Sequence, residues 1–363
     1  MSKEKIIPIF VPNYGCPHMC VFCNQVKITG SNTILPLNEV HETIEKYLTY
    51  FNTNEDSCIE IAFYGGSFTA ISLDKQIELL KIAQKYKNEK IIQRIRISTR
   101  PDAINSTILN NLKLYGVDII ELGVQSLDEE VLLLSERGHT INDVNNSVSL
   151  IKEFGFFIGL QMMVGLPGDN YDKSMQTLLK IIDLQPDFIR IYPTLVVKNT
   201  KLEELYYLGK YKPLSLEETI LICKDLLVIS EYYNLPVIRV GLQPTEFIQL
   251  GKDIVAGPFH PAIRQLVEEE IYYEIIKEEL LNLKTNTNGK TLDISCNNDI
   301  INNIVGNKAV NKNKLIKEFN FKNIRFHKSN INDEIIISIG EIYKSICLSE
   351  HINKRAVGII NHY

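Results

Sequence analysis

Residues 6–23 read IIPIFVPNYGCPHMCVFC: an apolar run of strand type, a Pro-Asn-Tyr-Gly turn, then three cysteines at C-x3-C-x2-C spacing. A structural zinc site favours four ligands, usually as two close pairs. Here one compact trio stands alone, and Cys58, Cys223, Cys296 and Cys347 are scattered singly. A [4Fe–4S] cluster accepts such a trio, with its fourth iron left open to a substrate or cofactor. His18, inside the loop, is a candidate fourth ligand, so spacing alone leaves zinc open beside iron–sulfur. An odd total of seven cysteines, three of them clustered, argues against a disulfide framework and for a reducing compartment.

The bulk composition is that of an ordinary globular protein, with 45% hydrophobic and 23% charged residues in 363. The start, MSKEKIIPIF, has no long apolar core of the signal-peptide kind, and no run approaches a membrane span. The expectation is a cytoplasmic protein without a membrane partner. The net charge of −5 is uneven: residues 284–328 carry nine Lys or Arg against three acids, so that window is +6 and the remainder −11. Such asymmetry marks either a nucleic-acid contact or a solvated lysine-rich face.

Outward from the cysteines, short apolar runs alternate with helical patterns to about residue 245. The predicted strands are 6–11, 59–64, 94–99, 119–124, 157–164, 188–193 and 236–241, all rich in Ile, Val and Phe. They read as strands of a parallel sheet buried on both faces. Stretches such as LNEVHETIEKYLTYF and YDKSMQTLLKIIDL have the i, i+3, i+4 spacing of helices packed on a sheet. Repeated β-then-α implies right-handed crossovers and a parallel barrel, complete or partial. Chemistry in such barrels gathers at the C-terminal strand ends. The cysteines, GGSF (65–68), STRPD (98–102), QS (125–126) and GLPG (165–168) all fall there.

This arrangement resembles the radical S-adenosylmethionine superfamily. The resemblance implies that Cys16, Cys20 and Cys23 hold a [4Fe–4S] cluster whose open iron chelates S-adenosylmethionine, and that reductive cleavage yields a 5′-deoxyadenosyl radical. Phe22 matches the aromatic position near the adenine. Gly65, Gly66 and Ser67 match the glycine motif that receives the methionine amino group, where backbone must lie open without a Cβ. Gln125 and the segment around Gly165 match positions flanking ribose and adenine. Arg100 and Arg137 stand where polar contacts to the cofactor are expected. The blocks STRPDAI, ELGVQS, ERGHT, MMVGLPG and IYPTLVVKNTKLEELYYLGKYKPLSLEE, in that order, resemble the radical domain of the Elongator catalytic subunit over roughly residues 8–250. That subunit has a longer gap between its first two cysteines and a following acetyltransferase domain. Here residues 285–363 are too few for such a domain, so carboxymethylation of wobble uridine is not carried over.

A boundary is expected near residue 285, between a radical SAM β/α barrel with a helical extension (1–284) and a small basic α/β domain (285–363). In the latter, a strand (291–295), helices (297–305 and 311–319), strands (323–328 and 334–339) and a helix (341–348) follow the β-α-α-β-β-α order of a KH module. GNKA (306–309) falls at the GXXG position that clamps nucleotides, with Ala309 replacing the second glycine. Lys308, Lys312 and Lys314 are the candidate RNA contacts, and the alternative is a small cap with lysines in solvent.

Among single residues, Lys27 is either a cofactor or substrate contact or a surface lysine. Asp102 is a candidate cap for the turn after strand three. His139 reads as a structural hydrogen-bonder and Tyr192 as a buried tyrosine; His260 and Arg264 receive no role. The fold class expected is α/β, a partial parallel barrel of the radical SAM type with a small C-terminal domain. The function expected is radical modification of an RNA, tRNA or ribosomal RNA, with an electron donor such as flavodoxin or ferredoxin. Two alternatives are a small-molecule reaction like that of oxygen-independent coproporphyrinogen oxidase and a non-enzymatic RNA-binding iron–sulfur protein.

Overall fold

The protein is described here from a computed structural model covering residues 3–11, 16, 19–24, 36–51, 57–242 and 249–363. Lys27 and His18 lie outside the described residues. The chain divides into two compact units, 1–215 with 235–259 and 216–234 with 260–363.

The first unit contains β1 (Lys3–Val11), α1 (Leu37–Tyr50), β2 (Ser57–Gly65), α2 (Leu73–Asn88), β3 (Arg94–Thr99), α3 (Ser106–Leu114), β4 (Ile119–Gln125), α4 (Glu129–Leu134), α5 (Ile141–Glu153), β5 (Phe157–Val164), α6 (Tyr171–Asp183), β6 (Phe188–Pro193), β7 (Val196–Val197) and α7 (Lys201–Tyr207). After α8 (Leu216–Tyr232), which belongs to the second unit, β8 (Val237–Val240) and β9 (Ile254–Ala256) complete it. Seven strands pair in parallel in the order β1-β2-β3-β4-β5-β6-β8, a partial barrel. β7 and β9 form a separate antiparallel ribbon. All seven predicted strands are present at nearly the predicted bounds.

Helix boundaries are written in local chemistry. Asn105, Asp128 and Asn170 each accept a backbone N–H three residues on, at the starts of α3, α4 and α6. Thr140 and Asp143 form a reciprocal capping box at α5.

The strands are not apolar on both faces. Ile61 and Phe63, Ile95 and Ile97, Ile120 and Leu122, Ile158 and Leu160, and Ile189 and Ile191 form the buried apolar face. The alternate residues, Glu60 and Tyr64, Arg96 and Ser98, Glu121, Gln161, Arg190 and Tyr192, face the other way. Alternation of this kind is expected of a sheet with one apolar and one polar face. The charged residues are buried all the same, and so must be paired. Arg96 Nε and Nη1 reach Glu60 and Glu121 at 2.7 and 2.6 Å, and Arg190 Nη2 reaches Glu121 at 3.0 Å. Arg190 also donates to the Tyr64 hydroxyl at 2.9 Å and the Tyr192 hydroxyl at 3.2 Å.

The second unit contains α8, α9 (Ile263–Asn282), β10 (Thr291–Asn297), α10 (Asn298–Val305), α11 (Val310–Phe319), β11 (Asn323–Ser329), β12 (Glu334–Ile339), β13 (Ile342–Cys347) and α12 (Leu348–Ile360). α9, expected as an extension of the barrel, groups with this unit. Its Ile275, Ile276 and Leu280 share a core with Leu292, Ile294, Ile335 and Ile337 of the sheet. Sheet order is β11-β10-β12-β13, with β10 and β11 parallel and the other pairs antiparallel. Residues 342–347, expected as a helix, form a strand instead. Gly340, at φ 65°, turns the chain so that Ile342 pairs with Ile339 and Ile346 with Ile335. The helix begins at Leu348.

Among the described residues no helix is long and apolar enough to cross a membrane.

Candidate active site

Four strand ends and the cysteine loop meet at one side of the first unit. From β1 the chain reaches Cys16, whose thiol points to the Ser67 hydroxyl at 3.4 Å. Ser67 follows Gly65 and Gly66 at the end of β2. Gly65 has φ 100°, and Gly66 N donates to Val11 O at 2.8 Å, so the turn is tied back to the strand from which the cysteines depart. Phe68 anchors it below, wholly buried with its ring 5.0 Å from that of Phe63.

The cysteine loop is held by its backbone. Val21 N donates to Ser135 O at 3.1 Å, and Val21 O accepts from Leu202 N at 2.7 Å. Val21, with Phe22 packed against it, joins an apolar cluster with Val196, Leu202 and Tyr211. Cys20 is buried, while Cys16 and Cys23 are half-buried.

Beneath Cys20 lie two guanidinium groups. Arg137 Nη1 donates to its Sγ at 3.3 Å, and Arg100 Nη1 stands at 4.0 Å from the same atom. Arg100 donates to both carboxylate oxygens of Asp102 and, through Nη2, to Arg137 O at 2.7 Å. Asp102 thus pairs with a side chain rather than capping the turn. Arg137 Nη2 donates to Gly123 O at 2.6 Å, and its Nε is buried without a hydrogen-bond partner. Burial and the two cations together disfavour protonation of His139. Burial first, then Arg137 and Arg100, push its imidazole down to about 3, and its Nε2 lies 3.2 Å from Val124 O.

Gln125 ends β4 at an irregularity in its pairing with β5, in the left-handed region at φ 69°. A non-glycine residue held there is strained, a condition that clusters at functional positions. Its Oε1 accepts from Gln161 Nε2 at 3.2 Å. After β5, Gly165 turns with φ 77° between Asp169, which accepts from its N–H at 2.7 Å, and Tyr211, which donates to its carbonyl at 2.6 Å. Burial raises the Asp169 carboxyl to about 6. The loop lines a cavity of about 360 Å³ with Leu134, Leu205, Lys210, Lys212 and Leu214.

The chain matches the Radical SAM superfamily over residues 10–181 and the Radical SAM C-terminal domain over residues 186–273. It is 32% identical over 244 residues to an uncharacterised protein of Methanocaldococcus jannaschii, covering 63% of this chain and 74% of that one. This chain belongs to the radical SAM superfamily. It is an enzyme of that class, whose members pair a [4Fe–4S] cluster with S-adenosylmethionine. The radical SAM chain is also 30% identical over 182 residues to the tRNA uridine(34) acetyltransferase of Methanocaldococcus infernus, covering 45% of this chain but 34% of that protein. With human Elongator complex protein 3 it shares 35% identity over 138 residues, 37% of this chain and 25% of that one. It thus spans only a quarter to a third of these two relatives. The solved structure of the archaeal Methanocaldococcus infernus Elp3 superposes with a TM-score of 0.58 over 77% of this chain and 64% of that one, at 24% identity. That likeness speaks to the fold.

Among the described residues no group of three or more His, Cys, Asp or Glu side chains forms a ready-made metal site. The donor chemistry of this radical SAM site nonetheless fits an anionic cluster. Two buried guanidiniums meet here. Arg100 has the Asp102 carboxylate, whereas Arg137 has no carboxylate partner among the described residues. A buried guanidinium without a carboxylate partner favours an anionic group beside it.

The inner-face residues Glu60, Arg96, Glu121 and Arg190 were not among the predicted site residues. For Arg96 and Arg190 the signal is the alternation of a polar residue with isoleucine in RIRIST and in IRIY of FIRIYP. His260 and Arg264 lie in the second unit, where Arg264 Nε pairs with Glu268 at 2.8 Å.

Proposed function

We propose that this radical SAM enzyme modifies an RNA, with tRNA first among the candidates. In this reading Cys16, Cys20 and Cys23 hold the [4Fe–4S] cluster. Phe22, Gly65, Gly66, Ser67, Arg100, Gln125, Arg137 and Gly165 surround S-adenosylmethionine. Bound together, the two groups supply a 5′-deoxyadenosyl radical able to abstract hydrogen. The chain's own work is to hold the thiolates against fixed positive charge, offer open backbone at Gly65–Ser67, and seat Gln125 in its strained turn. The observation that carries the cluster assignment is Cys20, buried with a guanidinium Nη 3.3 Å from its sulfur.

The substrate class rests on the likeness to the tRNA uridine(34) acetyltransferases and on the basic stretch 284–328 within the second unit. There, β10-α10-α11-β11-β12 keeps the KH order, and β13 and α12 follow. Lys308 is exposed beside Gly306, and Lys312 is half-buried on α11. Lys314 is engaged by Glu270 at 3.4 Å and by the Tyr273 ring, so Lys308 and Lys312 are the stronger candidates for phosphate contacts. A ferredoxin or flavodoxin is the class of electron donor this chemistry needs.

The test is anaerobic. The chain is reconstituted with iron and sulfide, given dithionite and S-adenosylmethionine, and assayed for 5′-deoxyadenosine with and without bulk small RNA. Formation that rises with RNA and vanishes in Cys20→Ala supports both parts. Formation indifferent to RNA keeps the chemistry and moves the substrate to small molecules. Filter binding of Lys308→Glu/Lys312→Glu across a salt series tests the basic stretch 284–328, whose RNA affinity should fall with the substitutions and with salt.

A further inference from the structure

Arg100 is the largest wholly buried side chain among the described residues, at 1% exposure. A buried guanidinium needs its donors satisfied, and the pattern here is specific. Nε and Nη2 grip Asp102 at 2.8 and 3.1 Å, and Nη2 also holds Arg137 O at 2.7 Å. Nη1 is left facing Cys20 Sγ at 4.0 Å. The carbonyl it holds belongs to the residue whose own Nη1 donates to that sulfur at 3.3 Å. Two turns, one after β3 and one after α4, are therefore clamped together directly beneath one thiol.

We propose that Arg100 is a positioning residue that sets the reduction potential of the cluster at Cys20: it fixes Arg137 on the sulfur through the Arg137 carbonyl and adds its own charge beside it. This rests on the assignment of Cys20 as a cluster ligand. Hydrogen bonds to the ligating sulfurs, net charge and solvent exposure set iron–sulfur potentials. Reduction adds one negative charge to the cluster. Positive charge held dry beside a sulfur stabilises that reduced form and raises the potential. Asp102 works in the opposite sense, since it compensates part of the Arg100 charge while holding it in place.

The two residues therefore make opposite predictions. The full-length chain and the variants Arg100→Gln, Arg100→Lys and Asp102→Asn are reconstituted anaerobically. Iron and sulfide are counted, and the one-electron midpoint is measured by EPR-monitored titration without S-adenosylmethionine. Arg100→Gln is expected to lower the reduced-to-oxidised ratio at a fixed poise about tenfold, a shift of ~59 mV to the negative side. Arg100→Lys should recover part of it, and Asp102→Asn should shift the midpoint to the positive side. A residue that merely supports the fold would lower loading without this change of sign. Fully loaded Arg100→Gln at the wild-type potential overturns the proposal, as do same-sign shifts in Arg100→Lys and Asp102→Asn should Arg100→Gln fail to fold. Wild-type protein that takes up no iron overturns the cysteine assignment itself, and the iron count distinguishes that case.

Discussion

Arg96 on β3 and Glu121 on β4 meet at 2.6 Å, at 2% and 4% exposure, and Glu121 is shared with Arg190. Ser98 adds a hydroxyl to its second oxygen at 3.3 Å. Glu121→Gln leaves two guanidiniums with only Glu60 for compensation. Breaking a buried pair from one side typically costs about 3–5 kcal/mol. Urea unfolding should show a loss of that order, and Glu121→Gln/Arg190→Gln should cost less than the two single losses summed. Additive losses would mean that the residues do not act as a network.

Gly159 faces the same layer. A Cβ there would lie 2.3 Å from the Phe188 ring and 3.1 Å from Glu121 Cγ. Phe188 is itself buried and has the Arg96 guanidinium over its ring at 5.1 Å. Gly159→Ala should therefore destabilise by about 1–3 kcal/mol through overpacking. Thermal unfolding beside Gly358→Ala, where the backbone is not left-handed and the added Cβ meets nothing within 4 Å, separates the clash from the mere addition of a methyl group.

Removal of metal ligands should be selective. Cys16→Ser, Cys20→Ser and Cys23→Ser are expected to lose most of the iron of the reconstituted chain, whereas Cys58→Ser and Cys347→Ser should keep it. Buried Cys223 has its thiol pushed up to about 12, as an inert core residue should. Iron and sulfide per chain are the readout, and iron retained by Cys20→Ser would falsify the ligand set.

Acid should act through His139. Its folded-state value near 3 lies below the ordinary 6.5, so its contribution is complete above pH 6.5 and is lost as pH falls toward 3. Within that window the unfolded chain binds the extra proton, and the loss approaches about 1.4 kcal/mol per pH unit. His139→Gln should flatten this part of the curve. Asp169 has the opposite sign: raised to about 6, it stabilises less as pH climbs from 3.8 to 6. Asp169→Asn should remove that decline. Unfolding free energies between pH 4 and 8 for both variants resolve the two contributions.

The order of strands and helices was legible because each strand of the barrel is a short apolar run bounded by turn residues. The polar inner face was not, since Ile and Val at alternate positions dominate any window and hide Glu60 or Arg190 between them. Residues 341–348 misled for a different reason. Ile342, Tyr343, Ile346 and Leu348 mimic a helical face, and only pairing with β12 makes 342–347 a strand; Gly340 was the local clue. At the site, the cysteines and GGS announced themselves by spacing. The contact of Arg137 with Cys20 joins residues 117 apart in sequence, and no local pattern encodes it.

The inner-face ion pairs also tie the strands together. Glu60 stands on β2, Arg96 on β3, Glu121 on β4 and Arg190 on β6, each at most 8% exposed. One network therefore links four strands by their side chains as well as by their backbone, and a shift of any one of these strands would part a buried ion pair.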